Sequence, residues 1–355
     1  MPSYKNAYEV GEDMRKRVVD DRQSLMRRET EAWLVEQCRR TIEKERAWKL
    51  DYRSPEAFQK SCDPYRKKWM HTLGEFAFKA DFDVQYEPFF ENDHSSARWV
   101  YITLAEGLQA RFVLALPKKR SGRLPLVIAQ HGISSSPENV FGCVSSTLYH
   151  NYGNALLKAG FAVIAPSNIT EAHPRARLQR LCLLLGKTIA GLEVSKIRRI
   201  IDFAVNLPEI DPERIGMWGI SLGGFYTMFT TPVEPRIKTG VICAFFNHRY
   251  AKMAVSSQYS FLDADEEHIW IPGWFSGGFS DAELLAMICP RPVQIQQGRA
   301  DGIGWWPLQH EEFQLARKYY EKLNITDRIK YADHQGGHEI LVDEGISFLK
   351  KWLCN

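Results

Sequence analysis

The chain has 355 residues, 45% of them hydrophobic and 25% charged, which is the balance of a folded protein with one large domain and an appendage, or two modest domains. A formal net charge of +3, with basic residues set among acidic ones as in Arg27-Arg28-Glu29-Thr30-Glu31, excludes a nucleic-acid partner. No apolar run approaches the roughly 18 residues that cross a bilayer, Met1 to Arg17 lacks the apolar core of a signal peptide, and the seven cysteines include no Cys-x-x-Cys pair, so the expectation is a cytoplasmic protein with no membrane, metal or disulfide role.

Residues 1 to about 75 are rich in Arg and Glu and predict helices. Ser54-Pro55-Glu56 and Asp63-Pro64 each put a capping side chain before a proline at the first helical position, and Gly74 stands where a helix from Pro64 would stop. Nothing in this stretch is catalytic in type. It reads as a helical extension over 1–80, packed on the main domain (81–355) or joining a homo-oligomer. From about residue 83 the pattern changes. Val100 to Leu104 and Ala110 to Leu116 predict paired antiparallel strands joined near Glu106-Gly107. Apolar runs at Leu126–Ala129, Phe161–Ala165, Ile215–Trp218, Thr239–Phe245, Val293–Gln296 and Arg328–Tyr331 then alternate with helical segments. Such alternation predicts an α/β fold with a mostly parallel central sheet flanked by helices.

Gly219-Ile220-Ser221-Leu222-Gly223 directly follows one of these strands and opens a helix. A nucleophilic serine needs that placement, because a sharp turn lifts its hydroxyl clear of the sheet, while side chains at 219 and 223 would collide with the neighbouring strand and helix. A serine hydroxyl is a poor nucleophile until a base takes its proton. In the chain order serine, acid, histidine, Asp301 follows the Val293 strand, with Asp263 and Asp265 as alternatives, and His338 follows the last strand in Gly336-Gly337-His338-Glu339. His334 is the rival base. His338 is preferred for its glycine loop, whereas His131, His248, His268 and His310 read as structural or substrate-facing.

The strand Val127 to Gln130 ends in His131-Gly132 and a Ser-rich loop. The amides of Ile133 and Leu222 are therefore the expected oxyanion donors. An aromatic insertion over about 247–280 holds Tyr250, Tyr259, Phe261, Trp270, Trp274 and Phe275, and Trp305 and Trp306 follow the acid. With His131, Trp270, Trp274, Trp305 and Trp306 are the candidate substrate contacts, although the same rings would suit a capped core.

Together with Asp211-Pro212-Glu213-Arg214-Ile215-Gly216, Ile271-Pro272-Gly273 and Cys289-Pro290-Arg291-Pro292, these motifs resemble the acetyl xylan esterase-like branch of the dienelactone hydrolase family, over roughly residues 60 to 353. The resemblance implies the α/β-hydrolase fold, a Ser221-Asp301-His338 triad, hydrolysis of small acyl esters and no cofactor. Two departures stand out. Dienelactone hydrolases proper carry cysteine where this chain has Ser221, and Gly302 to Trp306 separates Asp301 from Pro307. A thioesterase or peptidase would use the same triad, and a non-catalytic binding protein would keep only the fold.

Overall fold

The computed structural model describes residues 12–81, 83–144, 148–257, 259–261 and 269–354. Nine strands form one sheet: β1 (Val84–Glu91), β2 (Ser95–Ala105), β3 (Leu108–Pro117), β4 (Leu124–Gln130), β5 (Ala162–Pro166), β6 (Ile210–Ile220), β7 (Ile237–Cys243), β8 (Val293–Gly298) and β9 (Ile329–His334). Their spatial order is β1-β2-β3-β5-β4-β6-β7-β8-β9. β1, β2 and β3 pair antiparallel, β3 meets β5 antiparallel, and every pairing from β5 to β9 is parallel. The expected hairpin forms with Val100 opposite Phe112. β4 and β8 are buried along their whole length, as strands covered on both faces must be.

β1 is the strand the sequence analysis did not identify. It is an edge strand of mostly exposed residues, and Pro88, which coincides with a register shift, breaks the alternation of Val84-Gln85-Tyr86-Glu87 after four residues.

The helices are α1 (Glu12–Glu45), α2 (Pro55–Ser61), α3 (Asp63–Leu73), α4 (Pro137–Val140), α5 (Tyr152–Lys158), α6 (Ala172–Leu184), α7 (Ile189–Ala204), α8 (Leu222–Thr230), α9 (Arg249–Ala254), α10 (Asp281–Ile288), α11 (Trp306–Glu321) and α12 (Val342–Leu353). Ser54 Oγ caps α2 by accepting from Ala57 N at 3.1 Å, and Gly74 ends α3 in the left-handed conformation. Asp63 does not cap. It is already inside α3, whose flanking residue is Cys62.

Phe58, Trp69 and Leu73, from α2 and α3, belong to the same buried cluster as the sheet residues Ile128, Ile164 and Met217. These two helices therefore share the main core. α1, about 50 Å long at 1.5 Å per residue, is anchored near its end. There Arg46 meets the buried carboxylates of Glu283 at 3.1 Å and Glu312 at 3.4 Å. Burial pushes the Glu312 carboxyl up to about 7, against the pull of Arg46. Among the described residues no helix is long and apolar enough to cross a membrane.

Candidate active site

The strand order reverses around β4, with β5 on one side and β6 on the other. Such a switch point leaves a crevice beyond the carboxyl ends of the strands, where α/β proteins place their chemistry. Ser221 lies there, alone between β6 and α8, at φ 57° and ψ −119°. An L-residue adopts this backbone only at a cost of about 1–3 kcal/mol. Its surroundings enforce the turn. A Cβ on Gly219 would stand 2.3 Å from Gly223 O, and one on Gly223 would stand 2.4 Å from Gln130 O. The two glycines let α8 press against β4 and β6, and Ser221 N donates to Cys243 O at 2.9 Å.

Asp301 and His338 come from the ends of β8 and β9. His338 Nδ1 lies 2.9 Å from Asp301 Oδ2. Asp301, almost wholly buried, also accepts from Ile303 N at 3.0 Å and Gln297 Nε2 at 3.2 Å. Burial works to raise its pKa, but His338 and these donors outweigh it and hold the carboxyl below the usual aspartate value. The charged carboxylate fixes the imidazole proton on Nδ1 and leaves Nε2 as the basic nitrogen.

The Gly336-Gly337 pair does not act as a flexible hinge. Ala300 N donates to Gly336 O and Arg299 N to His334 O, which binds the loop to the acid's loop. A Cβ on Gly298 would stand 2.0 Å from Gly337 O, so glycine at 298 permits the close packing.

On the other side of the crevice, among the described residues, no acceptor takes the amide of Ile133 or Leu222. The first bond of α8 runs from Phe225 N to Ser221 O, so the Leu222 amide faces outward at the positive end of the helix. Ser134, at φ 53°, donates its amide to Thr170 O and pins the loop just after Ile133.

Of the candidate substrate contacts His131 is corrected, and the four tryptophans differ in their surroundings. His131 is fully buried, with Nδ1 on Gly132 O at 3.0 Å and Nε2 accepting from Asn168 N at 3.2 Å. Burial lowers its pKa to about 4, so it is a neutral strut. Trp274 is 5% exposed and packs on Trp69 and Phe229. Trp306 begins α11, and the Arg299 guanidinium covers its ring at 4.7 Å. Trp270 and Trp274 line a cavity of about 360 Å³ whose other wall is Leu34, Gln37, Cys38 and Thr41 of α1. Trp305, 48% exposed, is the open ring beside the acid.

His248 caps α9 through Nδ1, and His310 pairs with Gln314 on α11. Asp263, Asp265 and His268 lie outside the described residues. Two contacts had no sequence signal. Tyr149 Oη accepts from Gly132 N, and His150 Nε2 pairs with Glu339.

No family model matches the chain. It is 22% identical over 304 residues, 81% of this chain and 98% of its relative, to the Bacillus subtilis protein YtaP, provisionally named a hydrolase. A crystal structure from Bacteroides fragilis, provisionally named an acetyl xylan esterase, has 16% identity, a TM-score of 0.65 and coverage of 83% of this chain and 81% of that one. A glucuronoyl esterase from Caldicellulosiruptor kristjansonii has 19% identity, a TM-score of 0.60 and coverage of 85% and 87%. The chain has the α/β-hydrolase fold.

Proposed function

We propose that the protein is a serine esterase of small acyl esters, with Ser221 as nucleophile, His338 as base and Asp301 as the orienting acid. The observation that carries this reading is the Asp301–His338 hydrogen bond at the carboxyl edge that also holds the strained Ser221 turn. In the first half-reaction His338 Nε2 takes the hydroxyl proton as Ser221 Oγ bonds to the ester carbon. The amides of Ile133 and Leu222 hold the resulting oxyanion. Collapse breaks the carbon–oxygen bond to the alcohol, which leaves with the proton from His338. Water, deprotonated by the same nitrogen, then attacks the acyl-Ser221 ester and releases the acid. Asp301 keeps its charge throughout and stabilises the imidazolium. None of these steps calls for a metal or organic cofactor.

Both structural neighbours named above are called esterases of sugar-bearing substrates, one for an acetyl ester and the other for a glucuronoyl ester. These names support ester over thioester or amide cleavage. The first of these names is also that of the acetyl xylan esterase-like branch of the dienelactone hydrolase family, which the motifs resemble. Trp305 offers an exposed ring on which a sugar face can stack. Seven free cysteines suit a reducing, cytoplasmic location.

The test is covalent labelling with a fluorophosphonate, followed by turnover of p-nitrophenyl esters and acetylated sugars. Labelling of wild type at Ser221 is expected. In Ser221→Ala labelling disappears and kcat falls by about 10⁴ to 10⁶ with the fold intact. A folded Ser221→Ala that retains a tenth of the activity would overturn the assignment.

A further inference from the structure

We infer that Leu148-Tyr149-His150 is a positioning strap that fixes the oxyanion loop and the base loop together. This inference rests on the esterase reading above. Each of the three residues reaches a different part of the site. The Leu148 carbonyl accepts from Ile340 N at 3.0 Å, two residues beyond the base. The Tyr149 hydroxyl, buried, accepts from Gly132 N at 2.8 Å. His150 Nε2 lies 2.7 Å from Glu339 Oε2, and Glu339 is the residue next to His338.

On the oxyanion side, Gly132 is the point of contact. A Cβ built there would lie 3.2 Å from the Tyr149 hydroxyl and 3.3 Å from Ser221 Cβ. The glycine is thus held between tyrosine and nucleophile. Because Tyr149 takes the Gly132 amide, the next amide along, that of Ile133, is the one presented to the crevice. Tyr152 steadies the same strand end, with its hydroxyl donating to Gln130 O at 3.0 Å and its ring stacked on Tyr149.

On the base side, Glu339 spans its own loop. Oε1 accepts from Gly337 N at 3.3 Å while Oε2 holds His150. The hydrogen bond from His150 keeps the Glu339 carboxyl below its usual value, so Glu339 remains a charged acceptor.

The strap itself is bent into an uncommon shape. His150 and Asn151 take φ of 47° and 52° in succession, a conformation that costs a non-glycine residue about 1–2 kcal/mol. The bend points Tyr149 into the protein and leaves the His150 side chain 43% exposed, so adjacent residues serve opposite sides of the crevice. Tyr149 acts through Gly132, next to Ile133, and His150 acts through Glu339, next to His338.

The experiment measures kcat, KM and the fluorophosphonate labelling rate in Tyr149→Phe, Glu339→Gln, the double variant, His150→Ala and His150→Gln. Tyr149→Phe should lower kcat and labelling by about 10- to 100-fold, less than the roughly 10²- to 10³-fold that follows outright removal of an oxyanion donor, with KM within about threefold. His150→Ala should do likewise, and His150→Gln, whose amide still donates to Glu339, should restore most of the rate. The double variant should lose less than the product of the two single losses, since a strap released at one end no longer positions the other. Losses that multiply, losses carried by KM, or variants labelled at the wild-type rate would overturn the strap and leave the esterase reading standing. A folded wild type that takes no label would withdraw both.

Discussion

Asp301→Asn probes the site where the structure fixes the outcome most tightly. Asp301 accepts three hydrogen bonds, and asparagine keeps only some of them. Its carbonyl oxygen can still accept from Ile303 N. Its amide nitrogen then stands where Oδ2 stood, facing two donors, Gln297 Nε2 and His338 Nδ1. The first conflict is eased locally by a flip of Gln297, whose Oε1 has no partner among the described residues, at the cost of the bond from Gln297 Nε2 to Gly298 O. The second resolves only if His338 moves its proton to Nε2. In the proposed mechanism that nitrogen is the base, and once protonated it cannot take the serine proton. The fold should therefore lose only about 1–2 kcal/mol, the scale of one imperfect buried hydrogen bond, while kcat falls by about 10⁴. The assay is p-nitrophenyl acetate turnover beside urea melts at two pH values. His338 and the other donors hold the Asp301 carboxyl below the ordinary aspartate value, so its stabilising contribution is complete above that ordinary value and is lost as pH falls through the lowered one. The stability gap between wild type and variant should accordingly narrow in acid. A variant with more than a tenth of wild-type kcat, or one that no longer folds at pH 7, would refute this reasoning.

Further outcomes follow from the same geometry. His338→Ala should abolish turnover and labelling, whereas His334→Ala, which loses one bond from Gly336 N to its ring, should stay within about tenfold of wild type; equal loss would point to collapse of the loop and remove the distinction. Gly223→Ala, with a Cβ 2.4 Å from Gln130 O, should destabilise by about 1–3 kcal/mol or more, read as a lowered denaturation midpoint; an unchanged midpoint would mean that α8 shifts freely. Acetyl and propionyl esters should give the highest kcat/KM, with octanoyl esters at least about tenfold lower; a steady climb with chain length would contradict the short-acyl preference. Trp305→Ala should raise KM for acetylated sugars more than for ethyl acetate, and an equal effect on both would remove the ring from the sugar site.

Much of this arrangement was legible in the sequence because it depends on local chain order. The six parallel strands announce themselves as apolar runs, and Ser221, Asp301 and His338 each follow one of them. What the sequence conceals is how one loop packs upon another. The glycines near the base suggest mobility in one dimension, yet Gly298 is there because the backbone of the base loop approaches within side-chain distance. The aromatic insertion suggests a pocket, and Trp270 and Trp274 do line a cavity, but its other wall is α1, which nothing in the local pattern announces, and Trp274 also packs beside the buried pair of Arg249 and Asp281. Tyr149 and His150 gave no signal, since no local pattern ties a tyrosine to the turn at Gly132 or His150 to Glu339, 189 residues on.

The backbone of Ser221 sets catalysis and stability in opposition at one residue. Glycine is the residue that occupies φ 57°, ψ −119° without strain. Ser221→Gly should relieve about 1–3 kcal/mol of strain and return about 0.5–1 kcal/mol as greater freedom of the unfolded chain, for a protein that is inert and melts higher than its active parent. Selection on the fold alone would therefore favour glycine at position 221. A serine retained there over generations is a record of continued use, and its replacement by glycine in a descendant would mark the loss of a substrate more surely than any change in the pocket.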